Sequence, residues 1–150
     1  MYLDEIYRVK RYITLGSQIW EALSEGNIDE VAELYNSALA GVPYDDFPNR
    51  NEFWYRSLFL MLLRGAGIIS YTEVHTHKGR ADLVIQLKNR IIVLEFKFAK
   101  NKFEVDKKMN EGHTQIADRE YAKSYGAEKN FEILTAVLVA NDEERCVRIA

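Results

Sequence analysis

Only one cysteine, Cys146, occurs in 150 residues, so an internal disulfide is excluded and the thiol cannot by itself hold a structural zinc. There are two prolines, Pro43 and Pro48, and both belong to one stretch that reads as a loop with Asp45 and Asp46. No uncharged apolar run approaches the ~18 residues of a membrane span. The longest, around Ser57 to Leu63 and Ile133 to Asn141, fall far short. Basic residues followed by a greasy run would mark a secretory leader, but Asp4 and Glu5 stand there instead. Internal repeats and low-complexity stretches are also missing. What is present is an ordinary globular composition, 47% apolar and 29% charged, which argues against disorder and fibrous classes. The expectation is a soluble, cytoplasmic protein of single-domain size with no membrane partner.

The net charge of -3 hides an asymmetry. Residues 1–50 carry nine acids against four bases, whereas residues 51–150 carry sixteen bases against fourteen acids. Within residues 78–108 the bases number nine and the acids four. Such a segment can meet a polyanion locally, although a solvated lysine-rich edge has the same composition.

The first half has helical periodicity. A helix is expected around Leu15 to Leu23, ending at Gly26. Asn27 followed by Glu30 is a capping box opening a second, with Ile28, Val31, Leu34, Ala38 and Leu39 as its stripe and Gly41 as its stop. A third, strongly apolar helix runs through Phe53, Trp54, Ser57, Leu58, Met61 and Leu62 to Arg64. Trp20 and Trp54 lie on these stripes and read as core. The second half has the period of strands at Ile68–His77, Ala81–Leu87 and Arg90–Phe98, with a tight turn at Lys88-Asn89. Residues 101–112 are highly charged and show no clear period. Helical spacing returns from His113 to Tyr125 through Ile116 and Tyr121, and Gly126 closes it. Phe131 to Ala140 is a nearly continuous apolar strand, and a short one is expected at Arg145–Ile149. The fold class is therefore α/β, a mixed central sheet flanked by helices.

Asp82 stands near the start of one strand, and Glu95 and Lys97 stand near the end of the next. Alternation puts Glu95 and Lys97 on one face. A two-residue turn at Lys88-Asn89 sets Asp82 directly opposite Glu95, with Cβ atoms ~5 Å apart. Carboxylates so placed repel unless a cation lies between them, and oxygen donors without thiolates favour Mg²⁺ or Mn²⁺. Leu83, Ile85 and Leu87 pair with Leu94, Phe96 and Phe98 as an apolar layer, from which the charged trio points away. Lys97 reads either as a plain salt bridge or as the cation that orients water or neutralises a phosphoryl charge.

Gly79-Arg80-Ala81-Asp82-Leu83-Val84-Ile85, with twelve residues between Asp82 and the run Glu95-Phe96-Lys97, resembles the core of the PD-(D/E)XK nuclease superfamily. Gln115-Ile116 and Tyr121 match the helix that follows in the branch usually found behind an AAA-type ATPase-like domain. Ala81, where the family name has proline, is a departure, and the charged stretch 101–111 before Gln115 is another. The resemblance implies a restriction-endonuclease-like domain over residues 49–150, with residues 1–48 as a helical lead-in. It implies Asp82, Glu95 and the carbonyl of Phe96 as metal ligands, joined by Glu52 from the preceding helix, and Lys97 as the catalytic lysine. Arg80, Gln115 and Tyr121 would support the site or contact substrate. The implied activity is Mg²⁺- or Mn²⁺-dependent hydrolysis of phosphodiesters, with DNA the favoured partner. Longer relatives would join it to an ATPase-like domain, and a homodimer is open.

Other readings stand beside these. Glu52 is equally a first-turn carboxylate favoured by the helix dipole. Tyr121 fits core packing as well as base stacking. Arg80 and the lysines of residues 78–108 are phosphate contacts or solvated cations. Glu73, His75 and His77 share a strand face and suggest a zinc hydrolase, but lack further ligands. A nuclease fold that binds nucleic acid or a protein without turnover is the other functional class.

Overall fold

The computed structural model describes residues 14–76, 78–121 and 131–150. Four α-helices and five strands are described: α1 (Leu15–Glu25), α2 (Ile28–Ala40), α3 (Glu52–Gly65), β1 (Ile69–Thr76), β2 (Gly79–Gln86), β3 (Arg90–Ala99), α4 (Val105–Arg119), β4 (Glu132–Asn141) and β5 (Cys146–Ile149). The strands form one mixed sheet in the order β1-β2-β3-β4-β5. Only β3 and β4 run parallel, and α4 lies in the connection between them. A parallel neighbour requires such a crossover, whereas the antiparallel pairs need only turns. None of the described helices is long and apolar enough to cross a membrane.

One sheet face is covered by α1, α2 and α3. Leu83, Ile85, Ile92, Leu94, Phe96, Leu138 and Ile149 meet Ile19, Leu23, Tyr35, Leu39, Tyr55, Phe59 and Leu63 in one apolar cluster. The α1–α2 junction turns at Gly26, whose φ of 71° suits glycine. A Cβ there would also stand 3.0 Å from the guanidinium of Arg90. That guanidinium donates to the carbonyls of Leu23 (3.1 Å) and Ser24 (2.5 Å), so it caps the end of α1 from β3.

Two stripes differ from the sequence pattern. On α1 the buried residues are Ile19, Ala22 and Leu23, and Trp20 is 54% exposed. On α3 the buried residues are Tyr55, Phe59 and Leu63, while Phe53 and Met61 face solvent. A helix apolar on several sides offers overlapping stripes, and the sheet decides among them. Phe59 stacks against Phe96 with centroids 6.1 Å apart, and the Tyr55 hydroxyl donates to Asp142 at 2.7 Å. Trp54 is half-buried and packs against the cluster, as expected.

The opposite face is covered by α4, which corrects the reading of the charged stretch. The helix begins at Val105, eight residues before His113, after a single 3-10 turn over Lys102–Glu104. It ends at Arg119, with Glu120 in a left-handed conformation at φ 49°. Tyr121 therefore follows the helix, and Tyr125 and Gly126 lie outside the described residues. The stripe that docks it is Val105, Met109, Gly112 and Ile116, a helical spacing in which glycine takes an apolar position. A Cβ at Gly112 would lie 2.4 Å from Val137 Cγ1. Gly112→Ala gains up to ~1 kcal/mol of helix propensity but overpacks a site with no room, at about 1–3 kcal/mol. A lower melting temperature is expected, and an alanine variant that melts at or above wild type would refute the close docking of α4.

Candidate active site

Glu52 is placed by the loop before α3. Arg50 donates to Asp142 through Nε at 2.7 Å and to the carbonyls of Tyr44 and Phe47 at 3.2 and 2.8 Å, which fixes the chain ahead of the helix. Asn51 then caps it, its Oδ1 accepting from the Trp54 N–H at 2.9 Å. Glu52 thus projects from the first turn of α3.

The β2–β3 hairpin closes with the Leu87 N–H donating to the Arg90 carbonyl at 2.8 Å across Lys88-Asn89. This is the expected two-residue turn, and the register Leu83↔Leu94 and Ile85↔Ile92 follows from it. Beyond Leu83 the strands part. The carboxylate of Asp82 takes over, accepting the Phe96 N–H at 2.9 Å. A residue in an antiparallel hydrogen-bonded pair presents N–H and C=O to the same neighbour. The Phe96 carbonyl therefore opens on the same side, toward Asp82.

At this fork the structure gathers Glu52, Arg80, Asp82, Glu95, Lys97 and Gln115 around one pocket of about 420 Å³. These are the residues named from sequence, with Tyr121 in contact through Glu95. The Tyr121 hydroxyl lies 2.8 Å from Glu95 Oε2 and 3.0 Å from the Arg80 carbonyl, and its one proton serves either. Gln115 bridges the two strand residues, accepting from Lys97 Nζ at 2.6 Å and donating to Glu95 Oε1. His75 also lines the pocket; His77, the other half of the proposed zinc pair, lies outside the described residues.

Two arginines were missed. Arg119 Nη1 reaches the Arg80 carbonyl at 2.5 Å, the Tyr121 hydroxyl at 2.9 Å and Glu95 at 3.4 Å. Arg56 Nη1 lies 3.7 Å from Asp82 Oδ1, and its Nη2 lies 3.6 Å from Glu73. A signal was available for both, because each sits four residues after a named site residue, Gln115 or Glu52, on the same helix face. Glu73 itself has φ 54° where the β1–β2 ladder skips it opposite Asp82, and it also meets Arg80 at 3.7 Å.

Glu95 is wholly buried. Burial, and then the charge of Asp82, push its carboxyl up from 4.5 to about 7, against the opposing pull of Tyr121, Arg119 and Lys97. Burial and Asp82 also raise Glu52, partly offset by Lys97, Arg56 and Lys108. Among the described residues no three Asp, Glu, His or Cys side chains come together as a metal cluster. The donor set that fits a hard cation is thus two carboxylates and the Phe96 carbonyl, completed by water. The chemistry fits, since all are oxygen donors and the buried Glu95 carboxylate feels the charge of Asp82 beside it. A larger groove, about 570 Å³ between α1 and α3, is lined by Trp20, Met61 and Leu62 but by no ionisable side chain.

Residues 50–150 match the family model of the PD-(D/E)XK nuclease superfamily. The chain belongs to that superfamily. Its sheet with flanking helices is consistent with the restriction-endonuclease-like fold. No curated protein sequence matches the chain. Members of the PD-(D/E)XK superfamily are usually nucleases and are generally dependent on divalent metals. The matched span contains Asp82 and the run Glu95-Phe96-Lys97.

Proposed function

We propose that the chain is a metal-dependent nuclease that hydrolyses phosphodiester bonds, with DNA as its substrate. The observation that carries this reading is the convergence of Asp82, Glu95 and Lys97 on one pocket in a chain of this superfamily. Asp82, Glu95 and the Phe96 carbonyl would hold Mg²⁺ or Mn²⁺. When bound, the ion supplies Lewis-acid polarisation of a phosphoryl oxygen and makes water more acidic. Glu52 lines the same pocket and feels the charge of Asp82, so it would stand beside the ion as a further carboxylate.

The protein's own groups divide the remaining work. Tyr121, Arg119 and Gln115 hold the Glu95 carboxylate in one orientation. Lys97, tethered to Gln115, places an ammonium where negative charge grows on the phosphoryl group. Water's oxygen bonds to phosphorus as one of its protons passes to solvent, the bond to the leaving oxygen breaks, and that oxygen takes up a proton from solvent. Arg80 is exposed at the rim and supplies a phosphate contact. The Gly79-Arg80-x-Asp82 strand with the Gln115-Ile116 and Tyr121 positions supports placement in the branch joined to AAA-type ATPase-like domains, with residues 1–48 as its lead-in.

The test is incubation with single-stranded, duplex and branched DNA and with RNA in Mg²⁺ or Mn²⁺. Cleavage that EDTA stops and that Asp82→Asn lacks is expected. The asparagine keeps an acceptor for the Phe96 N–H, so the fold should survive. Binding to nucleic acid without cleavage under any of these conditions would replace the nuclease reading by a silent binding module.

A further inference from the structure

We propose that the turn from Lys100 to Lys108 is a platform for an unpaired strand of the substrate, with the Phe103 ring stacked on a base. The inference rests on the nuclease reading and adds a substrate class to it. Phe103 is 83% exposed, the most exposed of the large apolar side chains among the described residues. Its backbone is nevertheless held in place. Asn101 Oδ1 accepts the Phe103 N–H at 3.0 Å, and Glu104 Oε2 accepts the Lys100 N–H at 2.9 Å. The fold thus presents a ring to water on a pre-formed turn, which lowers the ordering cost of binding.

The surroundings favour a polyanion. Lys102 Nζ lies 5.3 Å from the ring centroid, and Lys100, Lys102 and Lys107 make no ion pair among the described residues. The nearby acids are engaged elsewhere, Glu104 with the Lys100 N–H and Asp106 with Arg148 at 2.9 Å. Lysines without ion-pair partners around an exposed aromatic ring are what a single strand uses, because phosphates follow the charge and any base stacks. A base inside a duplex is already stacked on both sides and has no face to offer.

The platform also connects to the pocket. It follows directly from β3, which carries Lys97, and Lys108 acts on the charge of Glu52. From Val105 to Gln115 the helix spans ~15 Å, about four nucleotides at the stacked rise of ~3.4 Å. The unpaired base would therefore sit a few nucleotides from the scissile bond.

The test is fluorescence anisotropy of a short labelled single-stranded DNA with the full chain in EDTA, with relaxed closed-circular duplex as competitor. Phe103→Ala should weaken single-strand binding by roughly 5- to 100-fold, and leave the duplex competitor's affinity and the salt slope unchanged. Phe103→Trp should restore binding and Phe103→Leu should not. Lys102→Ala should lower the salt slope by about one. Since the ring is exposed, melting temperatures should stay at the wild-type value. Wild-type affinity in Phe103→Ala or Phe103→Leu, or an equal loss on the closed duplex, overturns the platform alone. A wild-type chain that binds neither DNA in EDTA overturns the platform, and cleavage in Mg²⁺ or Mn²⁺ decides the nuclease reading separately.

Discussion

Lys97→Ala is expected to lower cleavage by roughly 10²–10⁴-fold while leaving metal binding intact. The ammonium is bonded to Gln115 at 2.6 Å and belongs to no ligand set, so its loss removes a positive charge from the reaction and no donor from the ion. Lys97 also pulls the Glu95 and Glu52 carboxyls down. Removing it leaves the pocket more negative, so the rise in melting temperature on adding Mg²⁺ or Mn²⁺ should persist or grow. Lys97→Arg separates two roles. It keeps a cation that cannot give up its proton, so partial activity points to charge neutralisation and none points to proton transfer or to a geometry arginine cannot match. Single-turnover cleavage beside metal-dependent melting is the measurement. A Lys97→Ala variant that cuts at the wild-type rate would remove the lysine from the mechanism.

Glu95→Gln is expected to stabilise the metal-free protein above neutral pH and to abolish cleavage. The sign follows from the raised carboxyl. Between 4.5, its ordinary value, and about 7 the folded state binds the proton more tightly than the unfolded chain. Stability from this group is complete below 4.5 and is lost as pH rises through about 7. The loss is on the order of 3 kcal/mol, at 1.36 kcal/mol per pKa unit. A neutral amide avoids it, so the variant should melt several degrees higher than wild type at pH 8 in EDTA, with little difference near pH 4. Divalent ions need the ionised carboxylate and should bind wild type progressively more weakly below about 7. Melting curves across pH, with and without Mg²⁺, decide the matter. A wild-type curve flat from pH 4 to 8 and matched by Glu95→Gln would show that the burial of Glu95 carries no cost.

The sequence carried a good deal of this site because strands and tight turns are local. Two-residue periodicity fixes which residues share a face, and the Lys88-Asn89 turn fixes register, so Asp82, Glu95 and Lys97 fall together from local pattern alone. Gln115 and Tyr121 were legible only through resemblance to the family motif, since helix and strand are separated by a stretch without readable period. That stretch shows no period because its docking stripe includes Gly112, a residue whose lack of a side chain makes room for Val137. Charge on the other faces of α4 concealed the pattern.

By itself the sequence determined the α/β class, the hairpin register and the shared face of the carboxylate–lysine trio. These depend on backbone geometry within a few tens of residues. Tertiary structure decided the rest. It selected the Tyr55, Phe59 and Leu63 stripe of α3 over the one bearing Met61, and left Trp20 in solvent. It also brought Arg56 and Arg119 onto the carboxylates from helices on opposite faces of the sheet. The burial that lifts Glu95 likewise arises only when β3 lies between two strands and beneath α4. Local patterns assign a residue to a face, but long-range packing alone sets what covers that face and which charges meet there.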